Sequence, residues 1–353
     1  LTREISLKRW DLLMENYRQE VEFGTAGIRG KRGMEKDLDG EEIPFLPGPN
    51  RINQDVAGRY SLAVANYIIK NNLEKRGVVI GFDVRKGSKE IAGIAKDILV
   101  KKGINIYYFD QPRPISEIAL ATLDKGGACY IYITASHNPK SDTGFKIGNE
   151  IGAQLFGLQK IAITREIALV SMSDVEKINS QPFNGSKFLV SKMIGGENDF
   201  DRIFAEKIKS HLLIPGNPKT LKVLYDPVFG TGQAVLPDIL RGLGYNFSLF
   251  PAHSGFNGDF PDLDMVDSKG KPLSPDPADK QVLAPAINYA AREGFDVVVA
   301  TDPDADRCGI AFKDNQGSWQ VMKANDLWSF LTWVRINLMQ ELESKGKLSE
   351  EYR

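Results

Sequence analysis

Apolar and polar positions along the chain alternate between helical and strand periods. Ile5, Trp10, Leu13, Met14 and Tyr17 recur at helical spacing, which predicts an amphipathic helix packed on the first domain. From Arg59 the pattern reads helix to about Lys70, strand Val78 to Phe82, helix Lys89 to Lys101 and strand Ile104 to Phe109. A short helix, Ile115 to Leu123, leads into a strand from Ala128 to Ile133. That strand is apolar at almost every position, as a strand buried on both faces of a sheet would be. Leu155 to Ile178 reads as largely helical, and Gln181 to Gly196 as a turn-rich joint.

A second set follows: helix Phe200 to Leu212, strand Leu221 to Tyr225, helix Gln233 to Leu243, strand Tyr245 to Phe250, helix Ala278 to Glu293 and strand Asp296 to Ala300. Residues 309–321 predict a hairpin around Asp314 to Gly317, and Ala324 to Ser344 a helix with Trp328, Leu331, Val334, Leu338 and Leu342 on one side. Helices and strands alternating at these lengths predict an α/β fold of consecutive layered domains with mixed, mostly parallel sheets. The expected boundaries are 1–195 and 196–312, with 313–353 opening a third domain that is incomplete, because a lone hairpin and helix seldom form one. Glu35 to Asn53 and Pro251 to Pro277, rich in proline and polar residues, are expected to be loops.

Composition narrows the class. The chain has 353 residues, too many for one ordinary core, with 42% hydrophobic and 26% charged residues, as in soluble globular proteins. Lys plus Arg number 45 and Asp plus Glu 46, a net charge of -1 that points to neither a nucleic-acid nor a membrane partner. The two cysteines, Cys129 and Cys308, are expected to be packed free thiols, as in a cytosolic protein. No apolar run approaches the roughly 18 residues of a transmembrane helix. The start lacks both an initiator Met and a signal-peptide core, so the expectation is a cytoplasmic protein whose native N-terminus lies upstream.

Candidate chemistry falls at strand ends, where ligands sit in open α/β sheets. Ser136, His137 and Asn138 occupy a Pro-stopped turn directly after the Ala128–Ile133 strand, with Lys146 ten residues beyond the serine. Ser136 there is either a nucleophile with a cationic neighbour or a cap for the following turn. Asp83 and Arg85 fall on the same rim, as a surface ion pair or as catalytic groups. In Glu22 to Gly30 the glycines let backbone N–H groups approach an anion, and Arg29 adds a forked charge. Asp302, Asp304 and Asp306 stand at i, i+2 and i+4 after a buried strand, and a hard divalent cation such as Mg2+ would relieve their repulsion. The spacing is unlike an EF-hand, which needs Gly at the sixth position, Glu at the twelfth and helical flanks.

These stretches together resemble the α-D-phosphohexomutase superfamily, which includes phosphoglucomutases, phosphomannomutases and phosphopentomutases. Thr134-Ala-Ser-His-Asn-Pro139 is similar to the family's phosphoserine loop, Phe23-Gly-Thr-Ala-Gly-Ile-Arg-Gly30 to its first catalytic loop, and Asp302-Pro-Asp-Ala-Asp-Arg307 to its Mg2+ loop. Gly144-Phe-Lys146 reproduces the family lysine, and the motifs stand in the family's order. Gly48-Pro-Asn-Arg-Ile-Asn53 and the Pro and Ala of the metal loop are nearest the phosphoglucomutase/phosphopentomutase branch.

The resemblance implies a phosphorylated Ser136 that passes its phosphoryl group to a sugar monophosphate, giving a bisphosphate that reorients and returns the other phosphate. It assigns Ser136, Asp302, Asp304 and Asp306 to Mg2+, and Lys146 to proton transfer. Arg29 and His137 would steady the loop, while Thr25, Arg29, Lys146 and Arg307 would contact phosphate or substrate. Glucose 1,6-bisphosphate or an equivalent would act as primer, and a homo-oligomer is compatible. A Ser-His-Asp hydrolase is disfavoured, because His137 adjoins the serine and His211 and His253 are expected to have surface roles. The family's later sugar-recognition and phosphate loops are not found, and Pro275-Asp-Pro277 stands where an Asn-Pro-Glu pattern is expected. The chain therefore reads as the N-terminal portion of a phosphoglucomutase-like enzyme with little turnover alone. Alternatives are a phosphomannomutase or phosphopentomutase, a phosphatase, or a non-catalytic sugar-phosphate-binding phosphoprotein.

Overall fold

Buried strands dictate the two halves of the fold. A computed structural model of the chain describes residues 5–24, 27–33, 35–36, 42–43, 48–182, 189–195, 199–212, 221–263, 270 and 273–348. The chain divides into unit 1, Leu1–Phe200 with Asn257–Asp259, and unit 2, Asp201–Phe256 with Phe260–Arg353.

Unit 1 contains strands β1 (Gly27–Lys31), β2 (Glu35–Lys36), β3 (Glu42–Ile43), β4 (Val78–Phe82), β5 (Ile106–Tyr108), β6 (Cys129–Ile133), β7 (Asp142–Gly148) and β8 (Val190–Lys192). Its helices are α1 (Trp10–Tyr17), α2 (Gln54–Lys70), α3 (Ser88–Lys101), α4 (Ile115–Asp124), α5 (Gly157–Leu169) and α6 (Met172–Asn179), followed by α7 (Phe200–Ser210), which continues into unit 2. The main sheet has the order β1-β7-β6-β4-β5-β8. β6, β4, β5 and β8 run parallel, while β7 is antiparallel to both β6 and β1. Every residue of β4 and β6 is buried, which explains their unbroken apolar runs. Helix α2 starts where Asn53, in extended conformation, accepts a hydrogen bond from the Val56 amide at 2.9 Å, and it buries Val56, Tyr60, Val64 and Ile68.

Several local expectations change, and the stretch 181–196, expected to be a turn-rich joint, contributes strand β8 to the main sheet. In α1 Trp10, Met14 and Tyr17 are exposed, Trp10 55% and Met14 68% accessible, while Leu12 and Leu13 are half-buried. The helix docks through polar Asn16, fully buried, whose Oδ1 accepts from Arg51 Nε at 2.6 Å. The helix expected over 155–178 breaks at Val170–Ser171, because Ser171 adopts extended backbone and forms a reciprocal capping box with Asp174 at the start of α6. Within the expected loop 35–53, the short strands β2 and β3 pair antiparallel, Glu35 opposite Ile43.

Unit 2 carries β9 (Lys222–Asp226), β10 (Asn246–Leu249), β11 (Val297–Thr301), β12 (Cys308–Lys313) and β13 (Trp319–Val321), in the sheet order β10-β9-β11-β12-β13. The first three strands are parallel, and β12 and β13 join antiparallel. Its further helices are α8 (Leu236–Gly242), α9 (Lys280–Glu293) and α10 (Ala324–Ser344). Leu224, Phe250, Ala286, Ala290, Phe295, Val298 and Ala311 form one core here. The hairpin predicted over 309–321 is built into this sheet, because β13 pairs with β12, so the second sheet runs past the boundary expected at 312. On α10, Leu327 is buried whereas Trp328 and Trp333 are 61% and 62% exposed. Among the described residues no helix is long and apolar enough to cross a membrane.

Candidate active site

Unit 1 presents Ser136 in the β6–β7 loop, at the carboxyl end of a fully buried strand. Its backbone is left-handed, with φ of 52°, which costs a non-glycine residue on the order of 1–3 kcal/mol. Three neighbouring side chains hold it there. Arg85 Nη2 donates to the Ser136 carbonyl at 2.5 Å and to the Asn138 carbonyl at 2.6 Å. Its Nη1 donates to the carbonyls of Pro139 at 2.8 Å and Asp142 at 3.0 Å. Asp83 Oδ2 lies 3.3 Å from Arg85 Nε and accepts from Thr134 Oγ1 at 2.7 Å, and Thr134 Oγ1 in turn accepts from the Ser136 amide at 2.7 Å. Asp83 and Arg85 are 1% and 3% exposed. The surface ion pair considered from sequence is instead a buried clamp on the serine loop. The signal for it was Asp and Arg two apart, directly after the apolar strand β4.

The remaining described candidates of this unit lie in the loop and on strands β7 and β1. Ser136 Oγ and His137 Nδ1 are 3.3 Å apart. Lys146, 1% exposed, sits in β7 opposite Tyr132 of β6 and Gly27 of β1. Arg29, half-buried in β1, pairs with Gly144 of β7. It lines a pocket of about 340 Å³ with Glu15, Arg18, Glu22, Lys31 and Asn50. Gly144 is required by packing: a Cβ there would lie 2.4 Å from the Thr134 carbonyl oxygen and 2.5 Å from that of Ile28. Thr25 lies outside the described residues.

Unit 2 gathers the acidic candidates. Asp302 and Asp304 are fully buried and Asp306 exposed, and one ligand oxygen from each lies within 4.8 Å of the others. Burial pushes the Asp302 carboxyl well above the usual carboxylate range, and the charges of Asp304 and Asp306 push the same way. Oxygen donors that crowd and repel one another at the end of a buried strand suit a hard divalent cation, so the residues fit Mg2+. Asp302 Oδ1 accepts from the Arg307 amide at 3.0 Å, and Ala305 turns the loop at φ 56°. Arg307 is exposed.

His253 departs from its expected surface role. It is fully buried, and its Nδ1 is 2.9 Å from both carboxylate oxygens of Asp226, also fully buried. The long polar loop around it hid this, because burial comes from Phe229 and Phe250, whose ring centroids each lie 4.8 Å away. His211 follows α7 half-exposed. Cys129 and Cys308 are free thiols, the first buried and the second half-buried.

Comparison with known proteins gives matches across both units. Residues 20–172 match the family model of phosphoglucomutase/phosphomannomutase α/β/α domain I, and residues 202–317 that of domain II. The phosphoglucomutase of Staphylococcus haemolyticus is 28% identical over 323 residues, 90% of this chain and 53% of the relative. That of Staphylococcus aureus strain N315 is 26% identical over 346 residues, 94% of this chain and 55% of the relative. The chain thus spans about half the length of the curated relatives it matches. Among solved structures, a putative phosphomannomutase from Thermus thermophilus has a TM-score of 0.63 at 21% identity, covering 83% of this chain and 57% of its own. A phosphoglucomutase/phosphomannomutase family protein from Burkholderia thailandensis has a TM-score of 0.60 at 20% identity, covering 85% and 55%.

Proposed function

We propose that this chain, which belongs to the α-D-phosphohexomutase superfamily, carries the phosphoserine and metal-loop part of a phosphosugar mutase acting on a hexose phosphate. Glucose phosphate is the favoured substrate, because the curated relatives are phosphoglucomutases. The observation that supports the reading best is the serine loop itself. Ser136 is held left-handed at the end of β6, with one guanidinium on three of the loop's carbonyls and on that of Asp142 at the start of β7. Such a loop fixes a nucleophile in one orientation, which is what phosphoryl transfer chiefly demands.

In this reading Ser136 Oγ carries the phosphoryl group that moves to a sugar monophosphate, giving a sugar 1,6-bisphosphate whose other phosphate returns to Ser136. His137 Nδ1, at 3.3 Å, orients the Ser136 Oγ. Lys146, on the neighbouring strand, moves the proton between the sugar hydroxyl and the leaving oxygen. Arg29 and Arg307 neutralise phosphate, with Thr25 beside Arg29 in the chain. Asp302, Asp304 and Asp306 would hold Mg2+, which would supply charge neutralisation for a phosphoryl group.

The test is peptide mass spectrometry after incubation with glucose 1,6-bisphosphate and Mg2+, beside a Ser136→Ala control. The expected result is one phosphate on the peptide containing Thr134–Lys140, absent in the control. Phosphate that persists in the Ser136→Ala chain would remove Ser136 as the nucleophile.

A further inference from the structure

We propose that Asp226 and His253 are positioning residues that fix the shape of the Asp302–Asp306 loop from outside it, a reading that rests on that loop holding a divalent cation. Asp226 ends β9, next to β11, whose own end launches the acidic loop, with Asp226 opposite Ala300. His253 Nδ1 faces two carboxylate oxygens at 2.9 Å, so the proton of that contact sits on Nδ1 and Asp226 accepts. Asp226 Oδ1 also accepts from the Val228 amide at 2.9 Å, and the His253 carbonyl accepts from the Phe229 amide at 3.0 Å. One histidine therefore grips the 227–229 turn from both its ring and its backbone.

That turn is strained. Val228 and Phe229, both buried, have φ of 43° and 59°, the left-handed region that bulky residues avoid. The conformation aims the next residues at the acidic loop. Thr231 donates twice to the Pro303 carbonyl, from its amide and from Oγ1, each at 2.9 Å. Gly230 lies so close that a Cβ would stand 2.6 Å from Pro303 Cα and 3.0 Å from the Asp302 carbonyl oxygen. A second tie lies at the loop's root, where Tyr225 and Thr301 hydroxyls are 2.8 Å apart. Pro303 has no amide N–H and stands between two of the carboxylates. Its carbonyl is thus the handle by which the β9 turn sets where Asp302 and Asp304 point.

Groups that orient metal ligands from a second layer typically change affinity by about 10- to 100-fold when removed. The measurement is Mn2+ binding by the whole chain, followed by electron paramagnetic resonance, for the native sequence, His253→Phe and His253→Asn. Phenylalanine keeps the ring between Phe229 and Phe250 but removes the donor. Asparagine restores a donor at the position of Nδ1. The expected result is about a tenfold or greater loss of affinity in His253→Phe and recovery to within about threefold in His253→Asn. A folded His253→Phe chain that binds Mn2+ as the native chain does would overturn the proposal.

Two controls keep it decidable. If His253→Phe does not fold, Thr231→Val removes only the hydroxyl bond to Pro303. A loss of about threefold then supports the brace, on the scale of one hydrogen bond, and native affinity overturns it. If the native chain binds no Mn2+, the metal assignment itself falls. Amide exchange at Ala305 and Arg307, whose N–H groups bond to Asp302, then decides: acceleration in His253→Phe supports positioning, and unchanged rates overturn it.

Discussion

Arg85 holds Ser136 by its backbone: its guanidinium donates to the serine carbonyl at 2.5 Å. Breaking a buried ion pair typically costs about 3–5 kcal/mol, because the partner charge stays desolvated. Arg85→Met, which strands buried Asp83, is expected to lose about that much in urea unfolding. Arg85→Lys keeps a charge but not a planar fork, so slower phosphate labelling of Ser136 is expected, with a smaller stability loss. Labelling at the native rate in both variants would show that the clamp does not orient the nucleophile.

The acidic loop makes a second prediction. A cation that binds only the folded chain stabilises it by about 2.7 kcal/mol at a hundredfold excess over Kd. Calorimetric scans should therefore show Mg2+ or Mn2+ raising the melting temperature of the native chain. Asp304→Asn, which removes a fully buried carboxylate of the cluster, should abolish the increment. An unchanged increment in Asp304→Asn would place the cation elsewhere.

Alkaline pH should unfold the protein through its core. Burial pushes the Cys129 thiol up to about 12 and Cys308 to about 11, and the Tyr60 and Tyr108 hydroxyls to about 12. In each case the folded state holds its proton more tightly than the unfolded one. The stability this contributes is complete below about pH 9 and is lost as pH rises toward 12. At pH 8 a thiol at 11 is only about one part in a thousand thiolate, so Cys308 should react with a disulfide reagent far more slowly than in urea. Equal rates in buffer and urea would contradict the burial.

Helix α10 exposes Trp328, Phe330, Leu331, Trp333 and Ile336 together. These side chains are distributed around the helix, and this much exposed apolar surface drives association. Sedimentation velocity is expected to show self-association that weakens in a Trp328→Gln, Trp333→Gln double variant. A single monomeric species at high concentration would count against it.

The sequence by itself determined the buried parallel strands, the helices between them and the chemistry-bearing loops, because these are local, whereas β1, β7 and β8 were not legible in it. Unbroken apolar runs at β4 and β6, period-3.6 stripes in α2 and α3, and Asp302, Asp304 and Asp306 after β11 need no distant partner to be recognised. The structure brings the three carboxylates together as their spacing implies. What only tertiary structure decided was the set of polar groups drawn inside. His253 sits in a stretch that reads as an exposed loop, and Asp83 with Arg85 reads equally well as a surface pair. Asn16, a polar residue, is the fully buried one of α1, held by Arg51, while Trp10, Met14 and Tyr17 stay exposed. Each is buried through residues far off in the chain, Phe229 against His253 and the β6–β7 carbonyls against Arg85, and a linear pattern carries no term for a partner at that separation. A polar residue is buried when its hydrogen bonds are satisfied there, and only the folded chain supplies those partners.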